Sequence, residues 1–165
     1  NQTPVEIGNT DAEGRLLLAD ALTYCQESTV KTDFIIDFAT LTGAARVALG
    51  TELPALFTNN DSLGDEILNE GMKQVDPMWR LPLFSPYNKQ LDKNNDAVSS
   101  TGSSGTGGAI TAALFLNRFI NKKTNWVHVD LMAWNTSSRP GFPMGGEAMG
   151  LRSIVNMIIK YCSKS

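Results

Sequence analysis

Strand-like and helix-like segments alternate along the whole chain, and this alternation restricts the fold more than any other feature. Phe34–Ala39 is a continuous apolar run rich in β-forming residues, which predicts a buried central strand. The other expected strands are Val5–Gly8, Ala55–Thr58 and Trp126–Leu131. The expected helices are Glu13–Gln26, Gly43–Leu49, Asn60–Gln74, Gly107–Ile120 and Glu147–Tyr161. The pattern predicts an α/β fold, with a mixed, largely parallel sheet and helices on both faces.

Two stretches lack periodicity and are expected to be irregular. Asp76–Asp96 mixes prolines, aromatic residues and charges, and Ser99–Gly108 is rich in serine and glycine. We expect the second stretch to be a flexible loop, with the possibility that it covers a site.

Length and charge exclude several classes of protein. A chain of 165 residues fits one domain, and a net charge of −3 argues against a nucleic-acid surface. No apolar run approaches the roughly 20 residues that span a bilayer, and the chain opens on polar residues rather than a signal peptide. Cys25 and Cys162 are expected to be buried thiols in a reducing compartment, so we predict a cytoplasmic protein without nucleic-acid or membrane partners.

An acidic cluster lies where the first predicted strand passes into the first predicted helix. Asp11, Glu13 and Arg15 follow one another at spacings of two residues. One interpretation is structural: Asn9, Thr10 or Asp11 caps the helix, with Glu13 as an acidic residue of its first turn. The other is functional, because sites in α/β proteins form beyond the carboxyl ends of strands.

The heptapeptide Asn9–Arg15, which is NTDAEGR, resembles the signature of the leucyl aminopeptidase (cytosol aminopeptidase) family. Similar blocks follow in family order along nearly the whole chain. They are Leu16–Leu22, Asp37–Ala44, Trp79–Leu83, Gly107–Ala112 and Trp126–Asp130.

The resemblance implies a metal-dependent exopeptidase. Positions matching Asp11 and Glu13 bind two divalent ions, manganese or zinc, and Glu13 suits a bridging role. The position matching Arg15 holds a bicarbonate ion proposed to act as the general base, and the planar guanidinium suits such an anion.

The resemblance also implies a pocket for the N-terminal residue of a peptide, with leucine-like residues preferred. The matching positions are Thr40, Leu41, Gly43, Met132 and Asn135. An ordinary strand-to-helix turn is the alternative interpretation of Thr40–Gly43. The residues after Asp130 depart from the commonest family pattern, and Asn135 puts the leucine preference in question.

Two carboxylates are too few ligands for two divalent ions, which want on the order of ten ligand atoms between them. In the family, a lysine and further aspartates that complete the site precede the signature, as does a catalytic lysine. We therefore expect residues 1–165 to be the C-terminal portion of the catalytic domain, without the N-terminal domain and the upstream part of the catalytic domain. The isolated chain is expected to be inactive, whereas the parent is expected to be a homo-hexamer acting on peptides.

Other kinds of site have little support in the sequence. His128 is the one histidine and is expected to be structural, and the chain has neither a HExxH helix nor a Gly-x-Ser-x-Gly turn. Two alternatives stay open: a non-catalytic binding or assembly module that retains the fold, and a small-anion domain that uses Arg15.

Overall fold

The computed structural model describes residues 3–27, 31–94 and 97–163, which form strands alternating with helices. The strands are β1 (Val5–Glu6), β2 (Phe34–Ala39), β3 (Ala55–Thr58), β4 (Trp79–Arg80), β5 (Val98–Ser99), β6 (Asn125–Asp130), β7 (Trp134–Asn135) and β8 (Gly145–Gly146). The helices are α1 (Glu13–Glu27), α2 (Gly43–Leu49), α3 (Asp61–Lys73), α4 (Gly108–Asn117) and α5 (Leu151–Cys162). Across these three ranges, no helix is both long enough and apolar enough to span a membrane.

The main sheet contains four strands in the order β2–β6–β3–β4. β2 runs parallel to β6 and β4 runs parallel to β3, whereas β3 and β6 are antiparallel. Two smaller ladders join β1 to β5 in parallel and β7 to β8 in antiparallel orientation. The predicted mixed, largely parallel α/β architecture is confirmed.

Helices cover both faces of the main sheet, as predicted. Successive side chains of a strand point to opposite faces, and β6 separates two apolar clusters in this way. Trp126 packs with Leu22 of α1 and with residues of α4. Val127 packs on the other face with Ile67 of α3 and Met157 of α5. The core therefore lies in two layers, one on each side of β6.

The position of β2 in the sheet differs from the prediction. Phe34–Ala39 is a strand, but it lies at the edge of the four-stranded sheet rather than at its centre. Its residues are mostly half-buried, and Phe38 is 42% exposed. Within the described residues, one side of this apolar strand therefore has no strand partner. The apolar run predicted the strand correctly, but the strand order depends on long-range pairing that the run does not contain.

Several element boundaries also differ from the prediction, most clearly the end of the first strand and the start of the last helix. β1 ends at Glu6, and its partner β5 begins at Val98, just before a segment expected to be a loop. The last helix begins at Leu151 rather than Glu147, because Gly145–Gly146 pairs in β8 and Gly150 has a left-handed backbone with φ of 77°. Short pairings of this kind leave no periodicity in the sequence.

The stretch Asp76–Asp96, expected to be irregular, contains short ordered elements. Trp79–Arg80 pairs with β3, and Ser85–Gln90 forms a 3₁₀ helix. Residues 95 and 96, at the end of that stretch, lie outside the described residues. α3 is capped by Asn60, whose side chain accepts from the Leu63 amide, and not by Asp61 or Ser62 as its sequence suggests.

The expected burial of both cysteines is wrong, since Cys25 and Cys162 are exposed free thiols. α1 turns Arg15, Ala19 and Leu22 toward the interior, so Cys25 lies outside the buried face.

Replacement of Val75 by glycine should stabilise the protein. It follows α3 with φ of 53°, and the next amide, from Asp76, donates to Gly71 O as in a Schellman motif. Glycine suits this position, whereas the left-handed conformation costs an ordinary L-residue roughly 1–2 kcal/mol. Val75→Gly should therefore raise the free energy of unfolding by about 0.5–1 kcal/mol, after the greater freedom of the unfolded chain is subtracted.

Urea denaturation of the two proteins measures this gain. Val47→Gly is the matched control, because Val47 is also exposed but lies inside α2, where glycine should cost roughly 0.3–0.5 kcal/mol relative to valine. Equal losses for both variants would show that Val75 is not strained.

Candidate functional site

The junction between β1 and α1 carries the acidic cluster predicted from the sequence. A 3₁₀ turn over Thr10–Ala12 leads directly into α1. Asn9 caps this turn, because its Oδ1 accepts from the Asp11 amide at 2.9 Å. The capping interpretation is therefore correct for Asn9. The carboxylates of Asp11 and Glu13 are not needed as caps.

Asp11 and Glu13 present their side chains to solvent at the start of α1. Neither carboxylate has a hydrogen-bond or ion-pair partner among the described residues. The N-terminal end of a helix favours negative charge, and both carboxylates are accessible to a cation from solvent. In residues 3–27, 31–94 and 97–163, no group of three or more His, Cys, Asp or Glu side chains is placed to hold a metal ion. The two carboxylates therefore fit part of a metal site.

Arg15, in contrast to the two carboxylates, lies inside the protein. It is 8% exposed, and its Nη1 donates to Ser100 O at 2.6 Å. Its Nε is buried without a hydrogen-bond partner among the described residues. Burial lowers the pKa of the Arg15 guanidinium, and the negative charge of Asp130 opposes that shift. An unpaired buried guanidinium nitrogen is a donor available to an anion, which fits a small oxyanion at Arg15.

β5 positions Arg15 from the other side of the junction. Ser100 follows β5 and is fully buried; its amide donates to Glu6 O and its hydroxyl accepts from the Gly8 amide. A Cβ on Gly8 would lie 2.7 Å from Thr101 Oγ1, so the two segments approach too closely for a larger residue. The segment after β5 thus supplies the carbonyl that orients Arg15.

The Thr40–Gly43 turn connects β2 to α2 and lies beside the cluster. Leu41 is adjacent to the motif, because a Cβ built on Gly14 would lie 3.5 Å from Leu41 Cδ1. Thr40 and Gly43 are exposed and Leu41 is half-buried. The Thr42 side chain accepts from the Ala45 amide and caps α2. The structure therefore brings this predicted pocket turn next to the predicted metal and anion ligands.

Met132 lies just beyond the end of β6, the strand paired with β2. Leu131 donates its amide to Ala39 O, so Met132 follows directly on the pairing that leads into the turn. Met132 is half-buried. The adjacent Ala133 has a left-handed backbone with φ of 55°, a conformation that costs a residue with a Cβ.

Asn135 lies farther along, in β7, and is buried. Its amide nitrogen donates to Pro143 O at 3.1 Å and to Glu147 Oε2 at 2.7 Å. The Glu147 amide also donates to Ala133 O. These three hydrogen bonds hold the β7–β8 hairpin in place. The structure thus gives the Asn135 side chain structural partners, and its contact with substrate stays a prediction.

His128 has the environment of a structural residue. It is fully buried, and its Nδ1 lies 2.5 Å from Asp37 Oδ1. Asp37 Oδ2 accepts from Trp126 Nε1 at 2.7 Å, and the Trp126 and His128 rings stack with centroids 6.1 Å apart. Asp37 faces His128 directly in the β2–β6 register. The carboxylate therefore joins two aromatic side chains of β6 to β2.

Sequence reasoning missed Asp130, which is the best-connected carboxylate near the cluster. It is 2% exposed and accepts from the amides of Leu41 and Thr42 and from the Thr42 hydroxyl. Its position at the end of a predicted strand was the one available signal, because site residues concentrate there in α/β proteins.

Comparisons with known proteins give consistent matches. A model described as the cytosol aminopeptidase family, catalytic domain, matches residues 1–155. The probable cytosol aminopeptidase of Chlorobium phaeobacteroides is 43% identical over 158 residues, covering 95% of this chain and 31% of that protein. The chain thus spans about a third of the length of its curated relatives.

Solved structures of the same family superpose closely. The cytosol aminopeptidase of Coxiella burnetii has a TM-score of 0.89 and 49% identity, covering 94% of this chain and 34% of that one. The bottromycin maturation enzyme BotP in complex with Mn has a TM-score of 0.87 and 33% identity, covering 93% and 34% respectively. Fold, motif and sequence similarity agree, and the chain belongs to the cytosol aminopeptidase family.

Proposed function

We propose that the parent protein is a two-metal aminopeptidase that releases N-terminal residues from peptides, with leucine-like residues preferred. The observation that carries this proposal is the buried Arg15 guanidinium. Its Nε has no partner among the described residues, and it lies two residues from an exposed Glu13. Membership of the aminopeptidase family and the manganese bound by BotP support it.

Asp11 and Glu13 are proposed as the metal ligands that this chain contributes. Two bound divalent ions, manganese or zinc, would supply Lewis-acid activation of the scissile carbonyl and of a water molecule. Glu13 suits a position between the ions because it opens the helix and faces solvent. Together the two carboxylates supply two of the negative charges that the ions require, and upstream residues of the parent are proposed to supply the others.

Arg15 is proposed to hold a bicarbonate ion. The guanidinium can donate two parallel hydrogen bonds to an oxyanion and stays charged. Its Nη1 is oriented by Ser100 O, and its Nε is left without a partner among the described residues and so available as a donor. Arg15 would thus contribute to the reaction by holding a proton acceptor near the metal ligands.

The substrate side of the site is proposed to be built from two connected segments. The turn contributes Thr40, Leu41 and Gly43, and the segment after β6 contributes Met132 and Asn135. Exposed backbone in the turn can bind a peptide main chain, whereas half-buried Leu41 and Met132 can contact an apolar side chain. Leucine-like specificity follows from those two side chains.

Metal titration of the full-length protein tests the proposal. After metal removal, hydrolysis of leucyl p-nitroanilide should return only as manganese or zinc approaches two equivalents, with two binding events by calorimetry. Full activity in the metal-free protein would refute the two-metal proposal, whereas binding of bicarbonate without any binding of metal would favour the small-anion domain.

The isolated 165-residue chain is expected to be inactive on aminoacyl substrates, even with manganese or zinc. The described residues offer no group of three metal ligands, so metal binding should be weak and incomplete. By itself this chain would behave as the non-catalytic module considered above. Turnover by the purified chain, surviving controls for contaminating peptidase, would refute this expectation.

The parent is proposed to be a cytosolic homo-hexamer that attacks short peptides rather than folded proteins. Light scattering of the active full-length enzyme should give six times the subunit mass, and folded protein substrates should not be trimmed. A monomeric mass for the active species would contradict the proposal.

A further inference from the structure

Asp130 connects the two parts of the candidate site. It ends β6 and is almost completely buried, at 2% exposure. Its Oδ1 accepts from the Leu41 amide at 3.0 Å and the Thr42 amide at 3.1 Å. Its Oδ2 accepts from the Thr42 hydroxyl at 2.6 Å. A buried carboxylate that satisfies three donors is a strong constraint on the segment that carries them.

These bonds determine where the Thr40–Gly43 turn can lie. The same Thr42 hydroxyl oxygen accepts from the Ala45 amide at 3.0 Å, so the bonds continue into α2. Ala39, just before the turn, accepts from the Leu131 amide at 3.0 Å. The turn is therefore bonded to the end of β6 at two places: through Ala39, which precedes the turn, and through Leu41 and Thr42, which lie within it.

We propose that Asp130 is a positioning residue: its hydrogen bonds to Leu41 and Thr42 hold the Thr40–Gly43 turn in place for substrate. This proposal rests on the function proposed above. Asp130 itself touches neither the reacting atoms nor the metal ligands.

Asp130→Asn in the full-length enzyme separates this proposal from a purely structural role. The amide oxygen can still accept from the backbone, but its NH₂ group meets the Thr42 hydroxyl and the charge is lost. We expect KM for leucyl p-nitroanilide to rise roughly tenfold, the size of one charge-assisted hydrogen bond. We expect kcat to change far less than KM, because Asp130 touches neither the reacting atoms nor the metal ligands.

Asp76→Asn is the matched control. Asp76 is also buried and accepts from the Gly150 and Ser153 amides and from the Ser153 hydroxyl, at the start of α5. The substitution removes the same kind of interaction at a distance from the site. It should lower stability without changing KM.

Thr42→Val tests the same bonds and also serves if the asparagine variant fails to fold. Valine removes the hydroxyl that donates to Asp130 Oδ2, so KM should rise while kcat stays near the wild-type value. An unchanged KM in this variant would overturn the positioning of the turn.

Two further outcomes are distinguishable. If the wild-type enzyme is active and Asp130→Asn changes stability alone, as Asp76→Asn should, Asp130 is structural and the positioning proposal is wrong. If the wild-type enzyme does not hydrolyse leucyl p-nitroanilide, the function proposed above fails, and the positioning proposal fails with it.

Discussion

Glu13→Gln in the full-length parent enzyme is expected to abolish aminopeptidase activity while leaving the fold intact. Two divalent ions carry a charge of about +4, and the glutamine removes one of the two negative charges that Asp11 and Glu13 supply. The second ion should therefore bind far more weakly. The fold should not suffer, because Glu13 is exposed and its carboxylate has no partner among the described residues, and such surface changes fall within about 0.5 kcal/mol.

Metal content by mass spectrometry, together with kcat, measures this result. Asp20→Asn is a suitable control, since Asp20 is an exposed carboxylate on the same helix and lies outside the acidic motif. It should keep two ions and full activity. A Glu13→Gln enzyme with undiminished activity and two bound ions would refute the bridging role.

Arg15→Ala should lower kcat much more than it raises KM. If Arg15 holds the proton acceptor, its loss removes general-base assistance, worth roughly 10²–10⁴-fold in rate. Added bicarbonate should stimulate the wild type and have little effect on the variant. Equal stimulation of both enzymes would exclude the anion-holding role.

The structure adds a stability effect that must be separated from the kinetic one. Arg15→Ala also removes the hydrogen bond to Ser100 O and leaves a buried carbonyl unpaired, a loss of roughly 1–3 kcal/mol. Arg15→Lys provides the comparison, because lysine retains the charge but lacks the two-pronged guanidinium. A role in binding bicarbonate predicts weaker bicarbonate stimulation in the lysine variant, whereas a role limited to local packing predicts lower stability with an unchanged bicarbonate response.

Local sequence pattern was enough for most of the fold. The apolar run Phe34–Ala39 and the capped segment Gly43–Leu49 have the bounds that the structure gives them. The motif Asn9–Arg15 identified the family, because seven residues in one order are far more specific than a carboxylate spacing. The same motif could not show that Arg15 is buried while Asp11 and Glu13 are exposed, since that depends on how α1 lies against β5.

The missed contacts of Asp130 and Asp37 depend on residues distant in sequence. Asp130 meets Thr42 across 88 residues, and Asp37 meets His128 across 91. No local periodicity contains such pairs, and they form only when β2 and β6 align in parallel. The exposed Cys25 was missed for a related reason, because the rotation of α1 is determined by the sheet beneath it.

The position of β2 at the sheet edge has a consequence for how this chain reaches its native state. Its strand partner, β6, lies about ninety residues later, as the 91-residue separation of Asp37 and His128 shows. Parallel pairing over such a distance is slow, so β2 remains unpaired during synthesis and refolding. Even afterwards, its second edge remains unpaired within the described residues. An apolar strand with an unpaired edge can pair with strands of other molecules and so cause aggregation. The yield of refolded protein should therefore fall as protein concentration rises.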